Sequence, residues 1–320
     1  MRKRQRMKTN EFDTKQFDET APLASQRPDI EADSLLVEFG ARSDLGKVRR
    51  NNEDHFAVIQ RTRSRKVVMT NMPPTDLSLS EDVSHVMVVA DGMGGAAFGE
   101  LASRLALKTA DELVGSACSW IAKLHDLDSP STQDRIQAYA DVIQETLLEY
   151  AENDPRMAGM GTTLTCAHVV GSDIVITHVG DSRAYHFRAG QVQQVTRDQT
   201  LAQDLMDAGM PARDTQRFRH ILTNCFGGDA RQVHSEVYHL RLQHGDAILL
   251  CTDGLSDLID DFEIAEVLTA EATAQAACDL LVRMALDRGG RDNITVVVGR
   301  FRAGMPDEAN DNVERQGPAV

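Results

Sequence analysis

No run of about 18 consecutive apolar residues occurs in this 320-residue chain, so no membrane-spanning helix is expected. The start is basic (Arg2, Lys3, Arg4, Arg6, Lys8), but no apolar stretch follows it, which excludes a secretory signal of the ordinary kind. Cysteine is scattered and odd in number: Cys118, Cys166, Cys225, Cys251 and Cys278 include no C-x-x-C pair. That excludes a disulfide framework and implies free thiols in a reducing, cytoplasmic compartment. Basic residues are outnumbered, 34 against 49 acids, for a formal charge of −15. A nucleic-acid partner is therefore not expected, because phosphate backbones call for clustered Lys and Arg. Aromatics make up only 5% of the chain and Trp120 is the single tryptophan, yet the hydrophobic fraction of 42% is enough to fill a core.

Residues 1–34 are polar, contain Pro22 and Pro28, and read as a disordered arm; 303–320 read as a similar tail. Between them, 35–302 read as one domain without a linker or an internal repeat. Strand-like runs occur at Leu36–Ala41, His55–Ile59, Lys66–Thr70 and His85–Ala90, and the Pro-containing stretch Asn71–Ser84 reads as a long loop. Helical periodicity covers Gly99–Val114 and Thr132–Ala151, separated by a polar break at His125–Ser131 that contains Pro130. Closely spaced strands follow at Thr163–Val170, Ile174–Val179, Arg183–Arg188 and Gln191–Val195, which favours antiparallel hairpins. Further strands are expected at Glu236–Leu240, Asp246–Cys251 and Ile294–Arg300, with a helical region over Ile264–Asp287. The pattern indicates an α+β fold: two antiparallel sheets packed together with helices outside.

Acids stand at the ends of several apolar runs. Val86–Ala90 leads into Asp91-Gly92, Ile248–Cys251 leads into Thr252-Asp253-Gly254, and Asp292-Asn293 precedes Ile294–Val298. A fourth acidic pair, Glu53-Asp54, lies near the start. Carboxylates at the ends of buried strands are costly unless compensated, and several converging there repel one another. A divalent cation compensates them, and an all-oxygen donor set selects Mg²⁺ or Mn²⁺ over Zn²⁺.

Two other readings compete. Asp-Gly is also the strongest hairpin-turn signal. However, the chain after Asp91-Gly92 enters a Gly-rich loop and a helix, and Leu255-Ser256-Asp257-Leu258 is not a returning strand. Gly92–Ala97 fits the dinucleotide-binding pattern G-x-G-x-x-G/A. There, however, Asp91 would face a pyrophosphate, and Asp111 and Glu112, at the distance of the ribose acid, lie in a helix.

Six segments occur in order: Arg49–Asp54, Asp91–Gly95, Gly161–Thr163, Val179–Arg183, Cys251–Leu255 and Arg291–Thr295. Together they resemble the bacterial form of the metal-dependent serine/threonine protein phosphatases, the protein phosphatase 2C family, over about Leu36 to Arg302. The resemblance implies an antiparallel β-sandwich flanked by helix pairs, a four-layer α-β-β-α arrangement. It also implies two Mn²⁺ or Mg²⁺ ions at one end of the sandwich. Asp91 would bridge them, Asp54 and the Gly92 carbonyl would hold one with Glu53 acting through water, and Asp253 and Asp292 would hold the other. Arg49 matches the phosphate-binding arginine, with Arg50 as the alternative. Asp181 matches a position that supports a third, weaker ion, and a turn aspartate before a strand is an equal reading of it.

The implied reaction hydrolyses phosphoserine and phosphothreonine in proteins through a metal-bridging water, reversing a Ser/Thr kinase. Two ions about 3.5–4 Å apart clamp the phosphoryl oxygens for in-line attack, and a guanidinium holds two of them at once. No Ser, Cys or His nucleophile is then needed. The expected partners are phosphorylated proteins, and the chain is expected to act as a monomer. Members commonly carry His where this chain has Ala96, so the group that protonates the leaving oxygen is unassigned. That departure motivates the alternative of a phosphoprotein-binding signalling module with little turnover. A flap is expected at about 200–228, where Arg213, Arg217, Arg219 and His220 form a basic stretch that either selects substrates or is simply solvated.

Overall fold

Alternate residues of the central strands are buried on opposite faces, which explains why those strands read as unbroken apolar runs although the sheets are antiparallel. In the computed structural model, residues 35–64, 66–73, 82–94, 98–121, 130–228 and 231–303 are described, with the side chains of 82, 114–121 and 131 excepted. All of them fall within one compact unit. The arm at 1–34, the tail beyond Ala303, and Ala96 lie outside them.

The chain begins with β1 (Leu35–Asp44), β2 (His55–Arg63), β3 (Asp82–Ala90) and the short β4 (Gly92–Met93). Two long helices follow, α1 (Phe98–Ile121) and α2 (Pro130–Asn153). The middle of the chain runs through β5 (Gly161–Thr162), β6 (Leu164–Val170), β7 (Asp173–Val179), β8 (Arg183–Arg188) and β9 (Gln191–Gln194). Residues 200–228 contain α3 (Leu201–Asp207), α4 (Ala212–Thr215) and β10 (Phe226–Gly227). The chain ends with β11 (Glu236–Arg241), β12 (Ala247–Cys251), α5 (Asp253–Ser256), α6 (Asp261–Ala270), α7 (Ala274–Asp287) and β13 (Ile294–Ala303).

One sheet has the order β1-β13-β12-β8-β9, the other β11-β7-β6-β3-β2, and a small sheet has the order β10-β5-β4. The sandwich interior holds Met87, Val89, Ala167, Ile176, Ile248, Leu250 and Val297. The next residues along the same strands face outward onto helices. Leu249, Val296 and Val298 meet Ala277, Leu281 and Val282 of α7. Val86, Val88 and Cys166 meet Ala102 and Ala106 of α1 and Ile143 and Leu147 of α2. The result is the four-layer arrangement expected from the sequence.

Three sequence readings need correction. Lys66–Thr70 is not a strand: Val68 and Met69 are 81% and 90% exposed, so these residues pack against no sheet. Pro130 does not break the chain but opens α2. Proline is tolerated at the first helical position because its missing N–H would have had no intrahelical acceptor there. The single helical region at Ile264–Asp287 is two helices. Asp260 and Glu263 form a capping box before α6, and Thr273 caps α7 by accepting from the Ala276 N–H.

Candidate metal centre and active site

Antiparallel register brings the acids together. His55 at the start of β2 pairs with Ala90 at the end of β3, which places Asp54 and Asp91 at the same end of their sheet. In the other sheet Cys251 at the end of β12 pairs with Val296 near the start of β13, which does the same for Asp253 and Asp292. Leu164 pairs with Val179, so Asp181 follows β7 at that end too. A cleft of about 230 Å³ opens there. Arg49, Glu53, Asp91, Gly92, Asp181, Asp253 and Asp292 line it, and Asp54 lies buried close behind Asp91, whose ionisation it opposes. The structure thus gathers all eight residues singled out in the sequence, and Arg49 is the member of the Arg49-Arg50 pair that reaches the cleft.

Asp91, Asp54 and Glu53 are held by polar neighbours that lie within the six segments quoted above but whose role there no local pattern revealed. The Asp91 N–H donates to Thr163 Oγ1 at 2.9 Å, while the Asp91 carbonyl accepts from Thr162 Oγ1 at 2.8 Å and the Thr163 N–H at 2.9 Å. The Gly161-Thr162-Thr163 segment therefore clamps the backbone of Asp91. Asp54 Oδ2 accepts from Thr252 Oγ1 at 2.8 Å and Thr295 Oγ1 at 2.7 Å. Asn293 orders the loop that carries Arg49 and Glu53. Its Oδ1 accepts from the Glu53 N–H at 2.8 Å, and its Nδ2 donates to the Leu45 and Asn51 carbonyls at 2.9 and 3.0 Å. Gly92 is required by close packing: a Cβ there would lie 2.1 Å from the Gly99 carbonyl oxygen at the start of α1. At Gly254 it would lie 1.9 Å from the Asn293 carbonyl oxygen.

The electrostatics are those of an uncompensated acidic cluster. Burial, and then the charges of Asp54, Asp253, Asp181 and Asp292, push the Asp91 carboxyl well above the ordinary carboxylate range. Burial, and then Asp253 and Asp198, do the same for Asp181. Asp54 is raised to about 7 by burial, against the lowering effect of its two threonine hydrogen bonds. Asp253 is raised to about 6 by burial and by Asp292, and its carboxyl is in hydrogen-bond contact with Asp91. Burial also raises Glu53, with Arg49 opposing. Arg49 Nη2 donates to Asp292 Oδ2 at 2.6 Å. By contrast Arg183 is occupied structurally: its guanidinium forms a two-point fork on Asp198 at 2.8 and 2.6 Å.

Six carboxylates thus face one guanidinium. Taking an ion out of water without a partner costs several kcal/mol, so their own protein contacts do not balance the set. Among the described residues no three His, Cys, Asp or Glu side chains are drawn together into a closed ligand shell. They do fit a hard cation in another respect. Asp54 Oδ1 and Asp253 Oδ1 are buried without a hydrogen-bond partner, and every donor of the acidic set is an oxygen, the kind that Mg²⁺ and Mn²⁺ prefer. His220 enters the cleft from the flap, and its neighbour Arg219 instead pairs with Asp257 at 3.0 Å. The sequence marked 220 only as part of a basic stretch.

Comparison with known proteins agrees with this geometry. Residues 74–288 match the profile of the family described as Protein phosphatase 2C. A serine/threonine phosphatase stp of Listeria innocua is 28% identical over 260 residues, spanning 80% of this chain and 93% of that protein. The serine/threonine protein phosphatase PstP of Mycobacterium tuberculosis is 32% identical over 272 residues, spanning 83% of this chain and 45% of that protein. A crystal structure of the PstP catalytic domain in complex with two manganese ions superposes with a TM-score of 0.63 at 30% identity, covering 84% of this chain and all of that one.

Proposed function

This chain belongs to the protein phosphatase 2C family, and from that membership and the acidic cleft we infer that it is a metal-dependent protein phosphatase. It hydrolyses phosphoserine and phosphothreonine in proteins with two Mn²⁺ or Mg²⁺ ions. The observation that carries the residue assignment is the pair of buried, unpartnered oxygens, Asp54 Oδ1 and Asp253 Oδ1, among acids whose ionisation burial opposes. We assign Asp91 to hold both ions. Asp54 and the Gly92 carbonyl, with Glu53 through water, would hold one, and Asp253 and Asp292 would hold the other. Asp181 is assigned to a third, weaker site, because it lines the same cleft as Asp253. When bound, the ions supply an activated water and neutralise the phosphoryl charge.

The chain's own groups do the rest. Arg49 reaches the cleft from the loop that Asn293 holds, and its guanidinium presents two donors to phosphate oxygens. Its raised proton affinity, due chiefly to the Asp292 hydrogen bond, keeps it charged throughout. The Thr162-Thr163 clamp fixes where Asp91 stands before any ligand arrives, so positioning is built into the fold. The flap, which we place at about 200–228, borders the cleft with Leu222 and His220.

The domain is taken as 35–302, flanked by an arm at 1–34 and a tail at 303–320. It acts as a single chain in the cytoplasm, in signalling, on the products of a Ser/Thr kinase. Two features support this: every assigned residue comes from one chain, and the described cysteines Cys166, Cys225, Cys251 and Cys278 are free thiols. A binding module with little turnover rests on Ala96 alone, whereas the full carboxylate set and Arg49 stand together in the cleft.

The test is hydrolysis of an aryl phosphate and a phosphothreonine peptide with Mn²⁺, abolished by chelator, with a phosphotyrosine peptide for comparison. Asp91→Asn and Asp253→Asn should each lose about 100-fold or more in turnover. Full activity in either variant would sink the assignment.

A further inference from the structure

We propose that His220 is the proton donor to the leaving oxygen of the phosphorylated residue; the proposal rests on the phosphatase reading above. Hydrolysis forms a bond from the attacking water oxygen to phosphorus and breaks the ester P–O bond. The electron pair of that bond goes to the serine or threonine oxygen. An alkoxide is a poor leaving group, so the oxygen needs a proton as the bond breaks. In this scheme the proton comes from the protonated imidazole of His220, and the proton released by the water returns to the ring through solvent.

The other groups that line the cleft are already committed. Its carboxylates are assigned to cations, and a guanidinium does not release its proton in proteins. The Thr163 hydroxyl is tied to Ser182 Oγ at 2.8 Å and to the Asp91 N–H. The Asn293 amide is spent on Leu45, Asn51 and Glu53. His220 is the imidazole among the lining residues, and imidazole ordinarily gains and loses a proton near neutrality.

Its surroundings point the same way. Some of the other described histidines are engaged, such as His178 with Thr165 and the Arg197 carbonyl and His239 with Asp173. The His220 ring makes no hydrogen bond or ion pair among the described residues, so it serves no structural partner there. Yet its backbone is braced on both sides. Arg219 is anchored to Asp257, and the Ile221 carbonyl accepts from the Leu201 N–H at 2.8 Å. Leu222 forms a bridge to Thr200. An unengaged imidazole on a fixed segment beside the acids is the arrangement a general acid requires.

The experiment compares wild type with His220→Ala and His220→Gln on aryl phosphates of graded leaving-group pKa and on a phosphothreonine peptide, all with Mn²⁺. The loss in kcat/KM should grow with leaving-group pKa, reaching about 100-fold on the peptide, so the slope of log kcat/KM against leaving-group pKa becomes more negative. An equal loss on every substrate, or no loss on any, overturns the proposal. Calorimetric Mn²⁺ affinity should stay within about threefold of wild type; a larger drop would make His220 a metal-holding residue and overturn it as well. If wild type hydrolyses none of these phosphates, the phosphatase reading itself fails, a result distinct from any change in slope.

Discussion

Asn293 shows how a residue without charge controls charged ones. It spends its side chain on the Glu53 N–H and on the Leu45 and Asn51 carbonyls, and it is 5% exposed. Asn293→Ala would remove three hydrogen bonds to part-buried backbone groups, each contributing about 0.5–1.5 kcal/mol, and would release the Arg49 loop. A misplacement of about 1 Å can cost on the order of 100-fold in rate. Asn293→Ala is therefore expected to lose about 10- to 100-fold in kcat/KM, read by steady-state kinetics beside a urea melt. Asp91, Asp253 and Asp292 were legible in the sequence because each stands at the end of an apolar run, whereas Glu53 and Asp54 showed only as an acidic pair and Asp181 only through the resemblance of its segment. Asn293, Thr162, Thr163, Thr252 and Thr295 were not legible, because a small polar residue beside an acid looks the same whether or not a distant partner meets it. Only the register of paired strands supplies those partners.

Among elements, the strands were the most legible. In β12, Ala247, Leu249 and Cys251 face the helices while Ile248 and Leu250 face the opposite sheet, and burial on both sides leaves an unmistakable apolar run. Lys66–Thr70 also carries a short apolar stretch, Val67-Val68-Met69, but packs against no sheet, which no local pattern can reveal. Helix boundaries depended on single caps. The Thr273 side chain accepts from the Ala276 N–H at 3.1 Å and separates α7 from α6. Thr273→Ala should cost about 1 kcal/mol, and Thr273→Ser should retain most of it; equilibrium denaturation with chelator present distinguishes the two. Ala274, the first residue of α7, also donates its N–H to Glu38 of β1 at 2.8 Å, so that cap sits where helix and sheet are fastened together.

For the molecule as a whole, acid tolerance is set partly far from the cleft. His168, 4% exposed on β6, is lowered to about 4 by burial and then by Arg61. An unfolded histidine titrates near 6.5. Between those values the unfolded chain binds a proton that the folded chain refuses, so stability falls as pH drops from about 6.5 to 4. The full effect is about 3 kcal/mol, since one pKa unit corresponds to about 1.4 kcal/mol. His168→Gln should lose less stability over that range than wild type, as measured by urea melts at stepped pH with chelator present.

Leu35 pairs with Ala303, and ten consecutive residue pairs join β1 to β13. Among the described residues, β1, at the edge of its sheet, thus finds its one sheet neighbour in β13, far along the chain. Contacts between such distant parts of a chain slow folding, because a long loop must close before they form. A ribosome-bound chain has no complete cleft until Asp292 has emerged and β13 has docked. Until then the growing polypeptide lacks Asp292 in its cleft, and the site is completed only when β13 closes against β1 and β12.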